Sequence, residues 1–190
     1  MAGPVILQPG APGQPSRAIG VAEAVDLSRV RFTAADVRFM QGMIGHHAQA
    51  VEMTALVPER STSERMRLLA KRIDVSQVDE IGMMQRWLKD RGQALPDPHA
   101  HHAPAAPLMP GMLTGEEMDR LAKASGNEFD RLFLEGMIKH HEGALTMVRD
   151  LFAVGGAGQE SEIFAFSADV DADQRMEIER MGAMLQELQR

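Results

Sequence analysis

The chain has 190 residues, 44% hydrophobic and 25% charged, with a formal net charge of −7. That is the composition of one soluble globular domain with a real core. It contains no cysteine, which excludes a disulfide framework, a thiolate zinc site and a Cys nucleophile. No apolar run approaches the roughly 18 residues needed to span a bilayer, and the acidic balance argues against a nucleic-acid partner.

Residues 1 to about 30 are poor core material. Gly3, Pro4, Pro9, Gly10, Pro12, Gly13 and Pro15 interrupt any periodicity, so an extended or disordered lead-in is expected. It does not read as a signal peptide, because it lacks a basic start and Val5-Ile6-Leu7 is too short an apolar stretch. From Thr33 the pattern is helical. Thr33 and Asp36 cap a run that stays periodic to Pro58, and Ser61 with Glu64 reads as a capping box for a second helix ending near Arg91 and Gly92. Residues 92–113 form a Pro/His/Met-rich link. Thr114 and Glu117 cap a short helix that breaks near Gly126. Ser125 and Glu128 start a long one to about Val154, and after Gly155, Gly156 and Gly158 a last helix fills about 160–188. No β-alternation is visible. The expected fold is an all-α, antiparallel four-helix bundle over residues 31–190, made of hairpins at 33–91 and 114–188.

The two hairpins repeat each other. Asp36, Phe39, Gly42, Met43, Ile44, His46, His47, Ala50 and Met53 each recur 94 residues later, around a second Met-Ile-x-His-His. In the partner helices, Asp74, Gln77, Glu80, Ile81 and Met84 recur 97 residues later as Asp171, Gln174, Glu177, Ile178 and Met181. A duplicated hairpin of this kind can pack about a pseudo-two-fold axis.

At about 100° per residue, His46, His47, Phe39, Met40, Ala50 and Met53 all fall within about 80° of Met43. Around Met137 the second repeat has the same face, with His140, His141 and Met147. In the partner helices Gln77, Glu80 and Met84 share one stripe, and Gln174, Glu177 and Met181 share the other. Gln41, Gln49, Lys71, Arg72 and Asp79 fall on the polar side. Each hairpin thus points two His, one Gln and one Glu at an apolar interior. An unpaired buried polar group costs about 1–3 kcal/mol, so these groups must satisfy one another or bind something. Two readings follow: a network that only fixes helix register, or a metal site on the pseudo-two-fold axis. In the second, imidazoles are the primary ligands and carboxylates orient them.

The donor set is too poor in carboxylates for a standard di-iron oxidase, and the long helices have no Glu-x-x-His. Imidazole suits copper, zinc or nickel, and thioethers shift the choice towards Cu(I). Met43, Met84, Met137 and Met181 lie on the polar stripes. The link adds His99, His101 and His102 ahead of Met109 and Met112, a tract suited to capturing metal at the surface. Catalytic motifs are missing. His140-His141-Glu142 is not a zincin motif, since Leu145 stands where the second His would be. The glycines at 155–158 follow no strand, and no Ser sits in a nucleophile elbow.

The paired Met-Ile-x-His-His segments, the two Gln-x-x-Glu-Ile segments and the Met-Pro-Gly-Met-Leu stretch resemble the domain-of-unknown-function family 305, over about residues 33–188. The resemblance implies a ferritin-like four-helix bundle, commonly exported to the periplasm or cell surface, with some relatives tied to copper. Carried over to this chain, it points to His46, His47, His140 and His141 with Met43, Met53, Met137 and Met147. The expected function is metal binding, copper first and zinc or iron next, in sequestration or homeostasis rather than catalysis. No membrane span is expected, and self-association is open to such a bundle. The rivals are a non-metal structural or interaction module and a metal-dependent oxidoreductase.

Overall fold

The computed structural model describes residues 6–8, 15–21, 31–97 and 108–188. Four long helices dominate: α1 (Ala34–Arg60), α2 (Glu64–Asp90), α4 (Gly126–Ala153) and α5 (Ser161–Leu188), with the short α3 (Gly115–Lys123) between the halves. α1 pairs with α2 and α4 with α5, and the two hairpins meet along α1 and α4. The chain is a ferritin-like antiparallel four-helix bundle built from a duplicated hairpin. None of its described helices is long and apolar enough to cross a membrane.

The helix boundaries follow local chemistry. Thr33 caps α1 through a full capping box with Asp36, and Thr114 does the same for α3 with Glu117. The start of α2 departs from expectation. α1 runs through Pro58 to Arg60, so Ser61 is spent as its C-cap, its N–H donating to the Val57 carbonyl. Ser63 caps α2 instead, accepting from the Met66 N–H. Pro58 lacks the N–H that would bond the Thr54 carbonyl, and the helix ends two residues later. Ser125 begins α4 without a side-chain cap bond. The lead-in also holds a pairing that the sequence pattern did not disclose. β1 (Ile6–Gln8) and β2 (Arg17–Ile19) lie antiparallel, with Ile6 opposite Ile19. Three residues per strand are too few to display an alternation.

The duplication is visible as symmetry. The Met53 methyl lies 3.3 Å from where a Cβ on Gly136 would stand, and the Met147 methyl 3.5 Å from one on Gly42. These contacts exchange under the 94-residue offset, so α1 and α4 cross antiparallel about a pseudo-two-fold axis at the level of the His pairs. The axis separates two apolar clusters. One holds Met53, Met137 and Met181 with Phe129 and Phe133, and the other Met43, Met84, Trp87 and Phe166. Between them lies one polar layer.

Candidate metal centre

His46, His47, His140, His141, Gln77, Gln174 and Glu177 are all buried, and all belong to that layer. Glu80 is slightly more open, its side chain 18% exposed. The helix face predicted to be buried is buried, but its histidines turn two ways. His47 and His141 turn towards the partner helices. The His47 Nε2–H donates to Glu80 Oε2 at 2.6 Å, and the His141 Nε2–H to Glu177 Oε2 at 2.7 Å. His46 and His140 turn into the α1–α4 seam, where their rings stack 3.8 Å apart at 34°. They meet no carboxylate. His46 Nε2–H donates to the Pro110 carbonyl and His140 Nε2–H to the His46 carbonyl, both at 2.9 Å.

These partners fix the tautomer, because a carbonyl or an ionised carboxylate can only accept. Every Nε2 carries a proton, and the rings of His46 and His140, held neutral by burial, present a lone pair at Nδ1. All four Nδ1 atoms are buried with no hydrogen-bond partner, as are Gln77 Oε1 and Gln174 Oε1. The layer therefore holds six buried polar atoms without a hydrogen-bond partner among the described residues. Burial, together with the neighbouring histidines His47 and His141, pushes the His46 pKa down to about 3, against the pull of the Pro110 carbonyl. Burial and the other three histidines hold His140 well below its ordinary value. Both imidazoles are neutral at any physiological pH. Burial alone would raise the Glu80 carboxyl, but the His47 hydrogen bond and charge, with the Ser76 hydroxyl, outweigh it and leave the group below its usual range.

The thioethers flank the layer in equivalent pairs. Met43 and Met84 are fully buried in one cluster and Met53, Met137 and Met181 in the other, while Met147 is half-buried. Among the described residues no three His, Asp or Glu side chains gather as a metal-binding group. The expected single cluster of imidazoles and carboxylates is resolved into two His–Glu pairs and a stacked His pair. The carboxylates are spent on the imidazole N–H groups, the arrangement that orients ring ligands from outside the coordination sphere.

The link supplies a part that helical periodicity missed. Met109–Leu113 lies as a strap across the α1–α4 seam, over the stacked histidines. Gln49, expected on the polar face, is buried and grips the strap at Leu113, donating from Nε2 to its carbonyl and accepting its N–H at Oε1. Glycines make the room. A Cβ on Gly143 would stand 2.0 Å from the Pro110 carbonyl oxygen, and one on Gly42 would stand 3.3 Å from the Met109 sulfur. The available sequence cue was small residues on a helix surface, which let another backbone approach closely. Within the strap Met112 is buried and Met109 half-buried. His99, His101 and His102 lie outside the described residues. Asp36 also does more than cap: its Oδ1 accepts the Gly158 N–H at 2.7 Å and ties the α4–α5 turn to the start of α1.

The sequence model of the family described as "Domain of unknown function (DUF305)" matches residues 36–185. The chain belongs to the DUF305 family. Among solved structures, a DUF305 fragment from Deinococcus radiodurans is similar at 31% identity and a TM-score of 0.71, over 82% of this chain and 98% of that one. A DUF305 protein from Streptomyces coelicolor, described as secreted, matches at 29% and 0.69, over 81% and 93%. CopM in its Cu(I)-bound form matches at 26% and 0.61, over 83% and 98%. No curated protein sequence matches the chain. The DUF305 likeness spans both hairpins and includes the strap.

Proposed function

We propose that this DUF305 chain binds copper, Cu(I) first, in the buried layer at its pseudo-two-fold axis, and serves to sequester the ion outside the cytoplasm. The observation that carries the reading is a set of six buried polar atoms without a hydrogen-bond partner among the described residues, the imidazole Nδ1 atoms of His46, His47, His140 and His141 and the amide oxygens of Gln77 and Gln174. Such a set calls for an electrophile, and a cation that accepts lone pairs meets the need directly. Neutral imidazole with thioether suits Cu(I), an ion content with few ligands. Met43, Met84, Met137 and Met181, with Met53 and Met147, are the thioethers at hand. Glu80 and Glu177 hold ring orientation. The strap residues Met109 and Met112, with the tract His99, His101 and His102, would capture the ion before it enters. The likeness to copper-bound CopM supports the metal, and the likeness to a secreted DUF305 protein supports the compartment. When bound, copper would supply charge to the acceptor layer, and nothing in the site requires it to turn over a substrate.

A second reading has its own support: each imidazole already has a partner for its N–H, as a network that fixes helix register would require. Titration of the metal-free protein with Cu(I), Cu(II), Zn(II) and Fe(II) separates the two. Copper binding tighter than micromolar, lost in the His46→Ala/His140→Ala protein while it stays folded, is the expected result. If no ion binds and those substitutions cost stability alone, the register network is the function of the layer. Oxygen consumption by the copper-loaded protein would move the reading towards an oxidoreductase.

A further inference from the structure

The large apolar side chains that the four long helices leave in water all lie on α2 and α5. They are Leu68, Val75, Val78, Phe164, Met176 and Leu188, none of them less than 39% exposed. Phe164 is in ring contact with Phe152 of α4, and the α2–α5 face is electrically uneven. The first turns of α5, residues 161–173, hold Glu162, Asp169, Asp171 and Asp173 and no basic residue. The first turns of α2, residues 64–76, hold Arg65, Arg67, Lys71 and Arg72 against two acidic residues. The contacts Arg65–Glu187, Arg72–Glu177 and Arg91–Glu162 run the two helices antiparallel. The basic stretch of α2 therefore lies at one end of the face, beside Glu177, Glu179 and Glu187 of α5, and the acidic stretch of α5 lies at the other.

The acidic end is concave. Asp79, Glu80 and Met83 of α2 and Phe166, Asp169 and Asp173 of α5 line a groove of about 500 Å³. Its walls are apolar at Met83 and Phe166 and its rim is anionic. The other end carries an apolar side chain in water. Leu68 stands 61% exposed, and Arg65 and Arg72 flank it three residues before and four after, on the same side of the helix.

We propose that the chain forms an isologous homodimer through the α2–α5 face, with Leu68 of each copy, flanked by Arg65 and Arg72, seated in the acidic groove of the other. A two-fold axis lying in the interface and across the helices turns one copy end for end. Each basic knob then meets an acidic groove, twice over, as a closed dimer requires. Leu68 takes the apolar wall at Met83 and Phe166, and the guanidinium groups face Asp79, Asp169 and Asp173. Val75 and Met176, near the middle of the face, pack against their counterparts. The surface is complementary to itself, which selects a second copy over an unrelated basic partner.

The test uses the full chain, free of metal, in sedimentation and light scattering across a concentration series. The wild-type protein should dimerise, and added salt should weaken the dimer, because its rim is ionic. Leu68→Glu places an anion in the anionic groove, and Asp169→Lys places a cation opposite the arginines, so each variant should be monomeric. Circular dichroism and the unfolding midpoint keep misfolding apart from dissociation. Mixing the two variants should restore dimers, because the Glu knob of one meets the Lys groove of the other while the remaining contact is native. A wild-type chain that stays monomeric, variants that both dimerise like wild type, or a mixture that stays monomeric would each overturn the proposal. None of these readouts depends on copper.

Discussion

The two halves of the bundle come from one hairpin written twice, and their equivalent His–Glu pairs are built differently. His47 bonds to Glu80, whose carboxylate accepts a second bond from Ser76 and reaches the wall of the acidic groove. His141 bonds to Glu177, whose side chain is 6% exposed and lies under Arg72, with Nε 3.7 Å from Oε1. One pair opens towards solvent and the other is sealed. The stacked histidines differ as well, since His46 donates to the strap and His140 to the backbone of α1. Symmetry of sequence thus sets the kind of atom at each position, and its surroundings set what that atom can do.

The largest expected effect lies where the halves agree. His46 and His140 are both held neutral by burial, with folded-state pKa values below the ordinary 6.5, to about 3 for His46. As pH falls the unfolded chain takes up these protons first. The stability they allow is complete above about pH 6.5 and falls below it by about 1.4 kcal/mol per pH unit for each histidine, for His46 until about pH 3. Urea unfolding of the metal-free protein between about pH 7 and about pH 5 should show this slope. His46→Gln and His140→Gln should each halve it, and a midpoint indifferent to pH would remove the argument.

The sealed and open pairs give the sharpest contrast. Glu177→Ala leaves His141 facing a dry void and should cost about 3–5 kcal/mol, the usual result of stripping one partner from a buried pair. Glu80→Ala should cost about 1–3 kcal/mol, because water from the groove can take the carboxylate's place. Equal losses in urea unfolding would mean that the two pairs are sealed alike.

Fold and repeat were legible because amphipathic period, capping residues and duplication are local properties. The polar layer was legible because His, Gln and Glu recur at the same offset on faces that must be buried. Its division was not. Whether an imidazole at 46 or 47 turns to a carboxylate or to a carbonyl depends on which backbone lies outside the helix, and Pro110 is 64 residues away in sequence. Gln49 was misassigned for the same reason. A glutamine on the outer side of a helix reads as solvated until a strap arrives to bury it.

The strap offers the smallest and most local pair of tests. Gly143→Ala should cost about 1–3 kcal/mol, because the backbone of Pro110 has little room to retreat. Gly42→Ala meets only the flexible ends of Met109 and Met147 and should cost less than about 1 kcal/mol. Thermal unfolding of both variants measures the difference. A Gly143→Ala protein as stable as wild type would mean that the strap is not held against α4.

Position 143 has position 49 as its counterpart in the first repeat, and the strap has given the two copies different occupations. Gly143 makes space for the connecting backbone, whereas Gln49 holds it with two hydrogen bonds. Joining two equal hairpins in one chain gave each duplicated position a separate history. A substitution harmless in one repeat can be ruinous in the other. The tether, alongside changes within the helices such as Ser76 and Arg72, gives the twin halves different work.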